Sequence, residues 1–147
     1  MTLDYRNQYV EFIKNVEIDD IFLLELKTKR MLEDIVGLTT DTNIKVNTSI
    51  VGRSKEQLAV ALSLDICANL KKEENQEPCF TCNATFIAKY KFINRIELDD
   101  SVEKEIIDEF VRRNVPINVW PYCRELVAST SLKMSLPAFI LPIVKVI

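Results

Sequence analysis

The sequence predicts an α+β fold in which helices cover one face of a four-stranded antiparallel sheet. Three observations predict it: long stretches of alternating apolar and polar residues, short connections between these stretches, and helical apolar spacing towards both ends. The chain has 147 residues, 48% of them apolar, and only two glycines. This length and composition favour a single domain over residues 1–147, with no repeat or internal linker.

The first two elements are a short helix and a strand. Apolar residues spaced four, three, one and three apart predict the helix: Tyr5, Tyr9, Phe12, Ile13 and Val16. The following stretch is rich in β-branched and aromatic residues around a dense apolar middle, which predicts a strand from near Ile18, partly covered on both faces. Residues 33–43 contain a glycine and a polar run, so they should connect this strand to the next.

The other three strands are predicted from alternation with a period of two. Residues 44–50 alternate, residues 58–70 place seven apolar residues on one side, and residues 80–92 repeat the pattern with only Ile87 out of phase. The two connections between these strands are shorter than the dozen residues that a parallel crossover needs. The three strands should therefore form an antiparallel meander.

Two helices and an apolar tail should follow the sheet. Asp100 and Glu103 are spaced as a capping box, and the helix that they open should end near Asn114. A second helix can begin with Pro121 at its first position. It should stop before the tail, residues 136–147, which has one charge and two prolines and is too apolar to be left in water.

Charge and composition exclude several classes of function. A net charge of −3 gives no strong positive field for nucleic acid, and no apolar run reaches the roughly 20 residues that would cross a membrane. We therefore expect a cytoplasmic protein that binds no nucleic acid and does not insert into membranes. The chain has no histidine, the usual base of a nucleophilic triad, so an enzyme is not expected.

Two constellations could carry chemistry, but each has a simpler interpretation. Cys79-x-x-Cys82 could be half a zinc site or a redox pair, although no second ligand pair accompanies it, and buried packing thiols are favoured. Asp19-Asp20 could form an acid–base pair, but is better explained as the solvated end of a strand. We therefore expect no metal, no cofactor and no catalytic residue.

One segment resembles a known family. Residues 120–126, Trp-Pro-Tyr-Cys-Arg-Glu-Leu, together with the Leu-Pro turn and apolar residues of 134–142, resemble the bacterial protein-export chaperone SecB and its SecB-like relatives. The order of the elements agrees as well. The N-terminal helix is more similar to the SecB-like chaperones that guard antitoxins.

The resemblance implies an ATP-independent chaperone, a holdase, that binds unfolded polypeptides through hydrophobic grooves. It also implies a homotetramer built as a dimer of dimers, whose partners would be preproteins with the translocase motor, or an antitoxin. Independently of the resemblance, the apolar tail and sheet face exceed what two short helices can cover, so self-association or an apolar partner is expected. The alternative is a dedicated assembly or scaffold subunit that binds one folded partner through the same surface.

The resemblance and the apolar pattern together suggest site residues. The expected client-binding residues are Phe22, Leu24, Trp120, Tyr122, Phe139 and Ile140, although their spacing also fits a core role. The resemblance also implies docking on the translocase motor through acidic residues of the sheet. Asp20 matches one of these acidic positions, and the next falls on Leu24, with Glu25 beside it, so Asp20 and Glu25 are the expected docking residues. Arg124 and Glu125 are expected to be structural, with the carboxylate near a helix N-terminus and the guanidinium bonded to a neighbouring subunit or loop.

Overall fold

The computed structural model describes residues 3–31, 40–71, 76–94, 97–137 and 139–143. The elements are α1 (Leu3–Lys14), β1 (Val16–Arg30), β2 (Thr40–Arg53), β3 (Gln57–Lys71), β4 (Gln76–Phe92) and α2 (Asp100–Lys133). The predicted fold class is confirmed: one four-stranded antiparallel sheet with a helix before it and helical structure after it. The prediction of a connection over 33–43 is wrong for residues 40–43, which belong to β2, and its other residues lie outside the described ranges. Within the described ranges no helix is long and apolar enough to cross a membrane.

The strand order in the sheet is β1-β4-β3-β2. The meander predicted for β2, β3 and β4 is confirmed, with each neighbouring pair antiparallel. The first strand pairs with β4, so β1 and β2 are consecutive in the sequence but form the two opposite edges of the sheet. Nothing in the sequence pattern indicated this placement of β1.

Two bulges interrupt the pairing of β1 with β4. The register shifts between Ile18 and Asp20, and again between Leu23 and Glu25, so that Asp19 and Leu24 are extra residues. An extra residue moves every following side chain to the other face of a sheet. Through the two shifts, four aliphatic residues of β1 share the face that carries the buried apolar side chains of β4: Ile18, Ile21, Leu23 and Leu26. We call this the helix face, and the other the open face.

The prediction of two C-terminal helices is wrong, because α2 is one helix of 34 residues that contains both Pro116 and Pro121. A proline inside a helix removes one backbone hydrogen bond and costs about 3 kcal/mol. The apolar stripe continues across both prolines, with Val115, Val119 and Cys123 completely buried. Burying each valine contributes roughly 1.5–3 kcal/mol, which offsets much of this cost and keeps the helix continuous.

The ends of α2 also differ in part from expectation. The N-cap is Asp99 rather than Asp100, and its side chain makes no capping hydrogen bond. The Glu103 carboxylate instead accepts a hydrogen bond of 3.0 Å from Arg53 at the end of β2, so the predicted capping box does not form. The helix ends before the Leu-Pro turn as predicted, where Ser135 adopts a positive φ of 57°.

The core lies between the helix face and the two helices. Aromatic rings join the elements: Phe12 of α1 is 5.6 Å from both Phe92 and Phe110, and Phe110 is 5.0 Å from Tyr90 of β4, between ring centroids. These contacts fix α1 against the first half of α2 and the end of the sheet.

Candidate functional site

An apolar groove runs along the helix face between β1 and α2. The helix packs mainly on β2, β3 and β4, so the side chains of β1 on this face are only partly covered. Ile18, Leu23 and Leu26 remain 50%, 39% and 38% exposed. We call this feature the β1–α2 groove; its floor is these three residues and its wall includes Asn118 and Tyr122 of α2.

Tyr122 stands at the middle of the β1–α2 groove. Its ring meets Phe86 of β4 edge to face at 6.5 Å between centroids, and Phe86 is paired with Leu23 of β1. Almost half of the Tyr122 side chain is nevertheless exposed. The ring is therefore held in place by the core but presents an accessible aromatic surface to the groove.

One end of the groove is a pocket with two amide side chains. Asn118 donates a hydrogen bond of 3.0 Å to the Tyr90 hydroxyl, and the Tyr9 hydroxyl donates one of 2.6 Å to Asn114 Oδ1. The lining includes Ile13, Val16, Glu17, Ile18, Tyr90, Phe110, Asn114 and Asn118. Burial raises the pKa of Tyr90, and raises that of Tyr9 to about 12, so both hydroxyls keep their protons at neutral pH.

The opposite end of the groove is closed by a contact between β1 and the end of α2. Arg30 Nη1 donates a hydrogen bond of 2.7 Å to the backbone carbonyl of Met134, the C-cap of the helix. Thr28 Oγ1 lies 3.8 Å from the sulfur of Met134, and it donates a 2.9 Å hydrogen bond to the carbonyl of Thr81 in β4. A guanidinium is favourable beside the negative end of a helix, so Arg30 ties the end of α2 to β1.

Three of the predicted client-binding residues lie away from Tyr122. Trp120 is buried, and its indole nitrogen donates a 2.6 Å hydrogen bond to the carbonyl of Pro142. The backbone N–H of Phe139 donates to Ser131 Oγ at 3.0 Å, and the side chain of Ile140 is largely exposed. The chain after α2 therefore folds back along the helix beside Trp120. The predicted client contacts of these residues stay predictions.

The two predicted client-binding residues of β1 are not in the groove either. Phe22 lies on the open face, where the Lys89 ammonium is 5.5 Å from its ring centroid. Leu24 is the extra residue of the second bulge and is 60% exposed. The groove residues Ile18, Leu23, Leu26 and Asn118 were not identified from the sequence, because alternation through an uninterrupted strand would place the wrong residues of β1 on the helix face.

The predicted docking acids, Asp20 and Glu25, are both exposed and both lie on the open face. Lys89 is directly opposite Asp20 in the sheet, and Thr85 is opposite Glu25. The open face around these carboxylates is therefore mixed in charge.

Arg124 and Glu125 are exposed near the last third of α2. The predicted place in the first turn of a helix is wrong, because α2 begins at Asp100 and the positive end of the helix is too far away to favour Glu125. Neither side chain has a hydrogen bond or ion pair within the part of the chain that the structure describes. A contact with a neighbouring subunit stays a prediction.

The four cysteines are free thiols. Cys79, Cys82 and Cys123 are buried, and Cys79 Sγ donates to the carbonyl of Ala68 at 3.1 Å. Burial raises the pKa of all three thiols, that of Cys123 to about 12, so the reactive thiolate is disfavoured. Among the described residues no three acidic, cysteine or histidine side chains are placed to hold a metal ion.

Comparisons with known proteins identify the architecture. No family model matches the sequence. The protein-export protein SecB of Anaplasma phagocytophilum is 25% identical in an alignment that covers 95% of this chain and 84% of that protein. The Mycobacterium tuberculosis SecB-like chaperone Rv1957, solved with a ChAD peptide from the HigA1 antitoxin, superposes with a TM-score of 0.78 at 19% identity, over 97% of this chain and 100% of its own. The chain is similar to SecB in sequence and to a SecB-like chaperone in fold.

The predicted resemblance to SecB-like chaperones is thus confirmed by the sequence of one relative and the fold of another. The two relatives are named as a protein-export protein and a SecB-like chaperone, so a chaperone role is supported for this chain.

Proposed function

We propose that this SecB-like chain is an ATP-independent holdase that binds non-native polypeptides in the β1–α2 groove. The observation that carries the proposal is the half-exposed row Ile18, Leu23 and Leu26 beneath the exposed edge of Tyr122. Covering these side chains would stabilise a monomer. Because they are exposed instead, their apolar surface is accessible for binding a polypeptide.

The chemistry of the groove suits guests of many sequences. Burial of apolar surface is non-directional, and each half-exposed leucine or isoleucine that a guest covers contributes roughly 1 kcal/mol. Tyr122 adds an aromatic surface that is already ordered by its contact with Phe86, so little side-chain entropy is lost on binding. Such a groove binds by exposed apolar content, which non-native chains share.

The relatives suggest two classes of client. The mycobacterial chaperone holds an antitoxin peptide, and SecB is a protein-export protein. Peptide segments of preproteins or of an antitoxin are therefore the proposed guests. Docking on the translocase motor through Asp20 and Glu25 has weaker support, because Lys89 lies opposite Asp20 on the open face and reduces its negative potential.

A homotetramer, built as a dimer of dimers, is the proposed assembly. A second copy could cover the exposed apolar residues of β1, and within the described residues Arg124 and Glu125 of α2 have no hydrogen-bond or ion-pair partner. Light scattering at micromolar concentration should give several times the mass of one chain. A strict monomer would count against the proposed assembly.

Suppression of aggregation tests the proposed activity. A chemically unfolded protein diluted into buffer should stay soluble when this chain is present at stoichiometric ratio without ATP. Unchanged turbidity would refute the holdase. A peptide array separates the holdase from a dedicated scaffold subunit, since a holdase binds many unrelated apolar and aromatic segments, whereas a scaffold binds almost none.

A further inference from the structure

The amide pair Asn114 and Asn118 occupies an unusual position in the groove. The two residues are one helical turn apart on α2 and both line the pocket at the end of the β1–α2 groove. The pocket is otherwise formed largely by apolar and aromatic side chains of α1, β1, β4 and α2. Two primary amides in such surroundings must either satisfy their polar groups within the protein or offer them to a ligand.

Each amide is fixed by a tyrosine but keeps hydrogen-bonding capacity. Asn114 uses its oxygen to accept from Tyr9, and Asn118 uses its nitrogen to donate to Tyr90. The Asn114 nitrogen and the Asn118 oxygen have no protein partner within the described ranges. The pocket therefore presents a donor and an acceptor whose orientations are set in advance by two hydroxyls on other elements.

The spacing of these groups matches an extended polypeptide. Four residues of an α-helix rise about 6 Å, and two residues of an extended strand rise about 6.6 Å. In an extended chain the N–H and C=O of every second residue point to the same side. A guest could thus accept from Asn114 with the C=O of one residue and donate to Asn118 with the N–H of the second residue along its extended chain.

Resting on the proposed function, we propose that Asn114 and Asn118 bind the main chain of an extended client through this donor and acceptor. Apolar contacts along Leu23, Leu26 and Tyr122 would then hold the side chains of the guest, while the amides hold the peptide group itself. The pair favours unfolded segments over folded ones, because only an unpaired main chain has free N–H and C=O groups. It also adds affinity without selecting a sequence.

The test uses the full chain and a short fluorescent peptide of alternating leucine and serine, with its binding measured by anisotropy. A second peptide carries esters in place of its central amide groups, which removes the N–H donors and keeps the extended shape. Wild type should bind the amide peptide about tenfold more tightly than the ester peptide. The double variant N114L/N118L should bind both peptides with the same, weakened affinity.

A matched control is Asn47→Leu, the same chemical change at an exposed residue of the open face, which should bind both peptides like wild type. Equal wild-type affinities for the two peptides would overturn the inference, and so would a double variant that keeps the tenfold difference. A changed mass of the free double variant in solution would assign the amides to a contact between copies and overturn it as well.

The proposed function and this inference fail differently. If wild type binds neither peptide, the groove is not a client site and both fall. If wild type binds both equally, the holdase stands and only the main-chain contact is refuted. If the double variant does not fold, the affinities of wild type for the amide and ester peptides still test the main-chain contact. The single variants Asn114→Leu and Asn118→Leu then show which amide is responsible for the difference in affinity.

Discussion

Tyr122 of α2 meets Phe86 of β4 edge to face, with 6.5 Å between the ring centroids, directly above the register position that Phe86 shares with Leu23 of β1. The pair links the buried core to the open groove. One ring is buried and positions the other, which stays accessible. The first prediction concerns this contact.

Replacing Tyr122 by alanine should weaken client binding more than it weakens the fold. The loss of the aromatic surface should lower affinity for an unfolded client about fivefold to tenfold, since a half-exposed ring contributes roughly 1 kcal/mol when a guest covers it. The contact with Phe86 is worth about 0.5–1.5 kcal/mol of stability. Titration with a carboxymethylated unfolded protein measures the first effect, and urea unfolding the second. The control Tyr122→Phe keeps the aromatic ring and should therefore keep both client affinity and stability. Wild-type affinity in the alanine variant would show that Tyr122 is not part of the client-binding site.

Deleting Leu26 should be far more damaging than deleting Leu24. Leu24 is the extra residue of the second bulge, so without it Leu23, Glu25 and Leu26 alternate regularly and keep their partners in β4. We expect the Leu24 deletion to stay within about 1 kcal/mol of wild type. Without Leu26, the position opposite Ala84 on the helix face is taken by charged Lys27, or by Glu25 if the bulge is lost, so we expect a loss of more than about 3 kcal/mol, or no folded protein. Circular dichroism during urea unfolding measures both; equal stabilities of the two deletion variants would show that the bulge does not set the register.

Trp120→Phe should loosen the segment after α2. The substitution keeps an aromatic ring but removes the indole N–H that bonds the carbonyl of Pro142, at a cost of about 0.5–1.5 kcal/mol. Limited proteolysis should then cut after α2 sooner than in wild type, while the groove keeps its affinity for clients. Unchanged cleavage would mean that Leu141, which is almost fully buried, is sufficient to hold this segment.

Pro121→Ala should stabilise the protein. The substitution restores a backbone donor in the interior of α2, at an exposed position where the proline side chain packs little. A gain of about 1–3 kcal/mol is expected from the helix propensities, seen as a higher melting temperature. Pro137→Ala, outside the helix, is the control and should not give this gain. A lower melting temperature for Pro121→Ala would show that the proline shapes the helix in a way that packing requires.

Stability should fall at alkaline pH. Burial raises the pKa of the Cys123 thiol from 9.0 to about 12, and that of the Tyr9 hydroxyl from 10.0 to about 12. Each group therefore loses its proton first in the unfolded chain, which favours unfolding above pH 9 for Cys123 and above pH 10 for Tyr9. The slope approaches about 1.4 kcal/mol per pH unit for each group until the folded state also titrates.

Urea midpoints between pH 7 and pH 11 test this dependence. The chain has no histidine, so little change is expected from that residue type near neutrality. Cys123→Ala should reduce the slope of the curve above pH 9 without abolishing it, because the raised pKa values of Cys79 and Cys82 also favour unfolding there, and it should leave the Tyr9 contribution above pH 10. A midpoint that is constant to pH 11 would show that the buried thiol and hydroxyl do not control alkaline stability.

The sheet was largely predictable from the sequence, but the position and register of β1 were not. In β3 and β4 one side of the alternation is apolar and the other mostly polar, so each face could be assigned residue by residue. In β1 the run from Ile21 to Leu24 is apolar at every position, so the phase of the strand cannot be read from it. The bulges and the pairing with β4 are set by tertiary packing.

The continuity of α2 and part of the site are also set by tertiary packing and could not be predicted from the local sequence. Local signals at Pro116 and Pro121 indicated a break, but packing of Val115 and Val119 on the sheet keeps α2 continuous. Tyr122 was predicted as a client-binding residue from the apolar excess near the end of the chain together with the resemblance, and this role stays a prediction. Asn118 was not predicted, because its place in the groove depends on its hydrogen bond to Tyr90, a residue far away in the sequence.

The bond between Trp120 and Pro142 also gives the protein a built-in optical probe. Trp120 is the sole tryptophan of the sequence, so fluorescence excited selectively at the indole comes from one flank of α2, beside the segment that follows the helix. A guest bound in the proposed groove would lie on the other flank, near Tyr122. A change in the Trp120 emission on adding a guest would show that binding near Tyr122 alters the packing of Trp120 on the opposite side of α2.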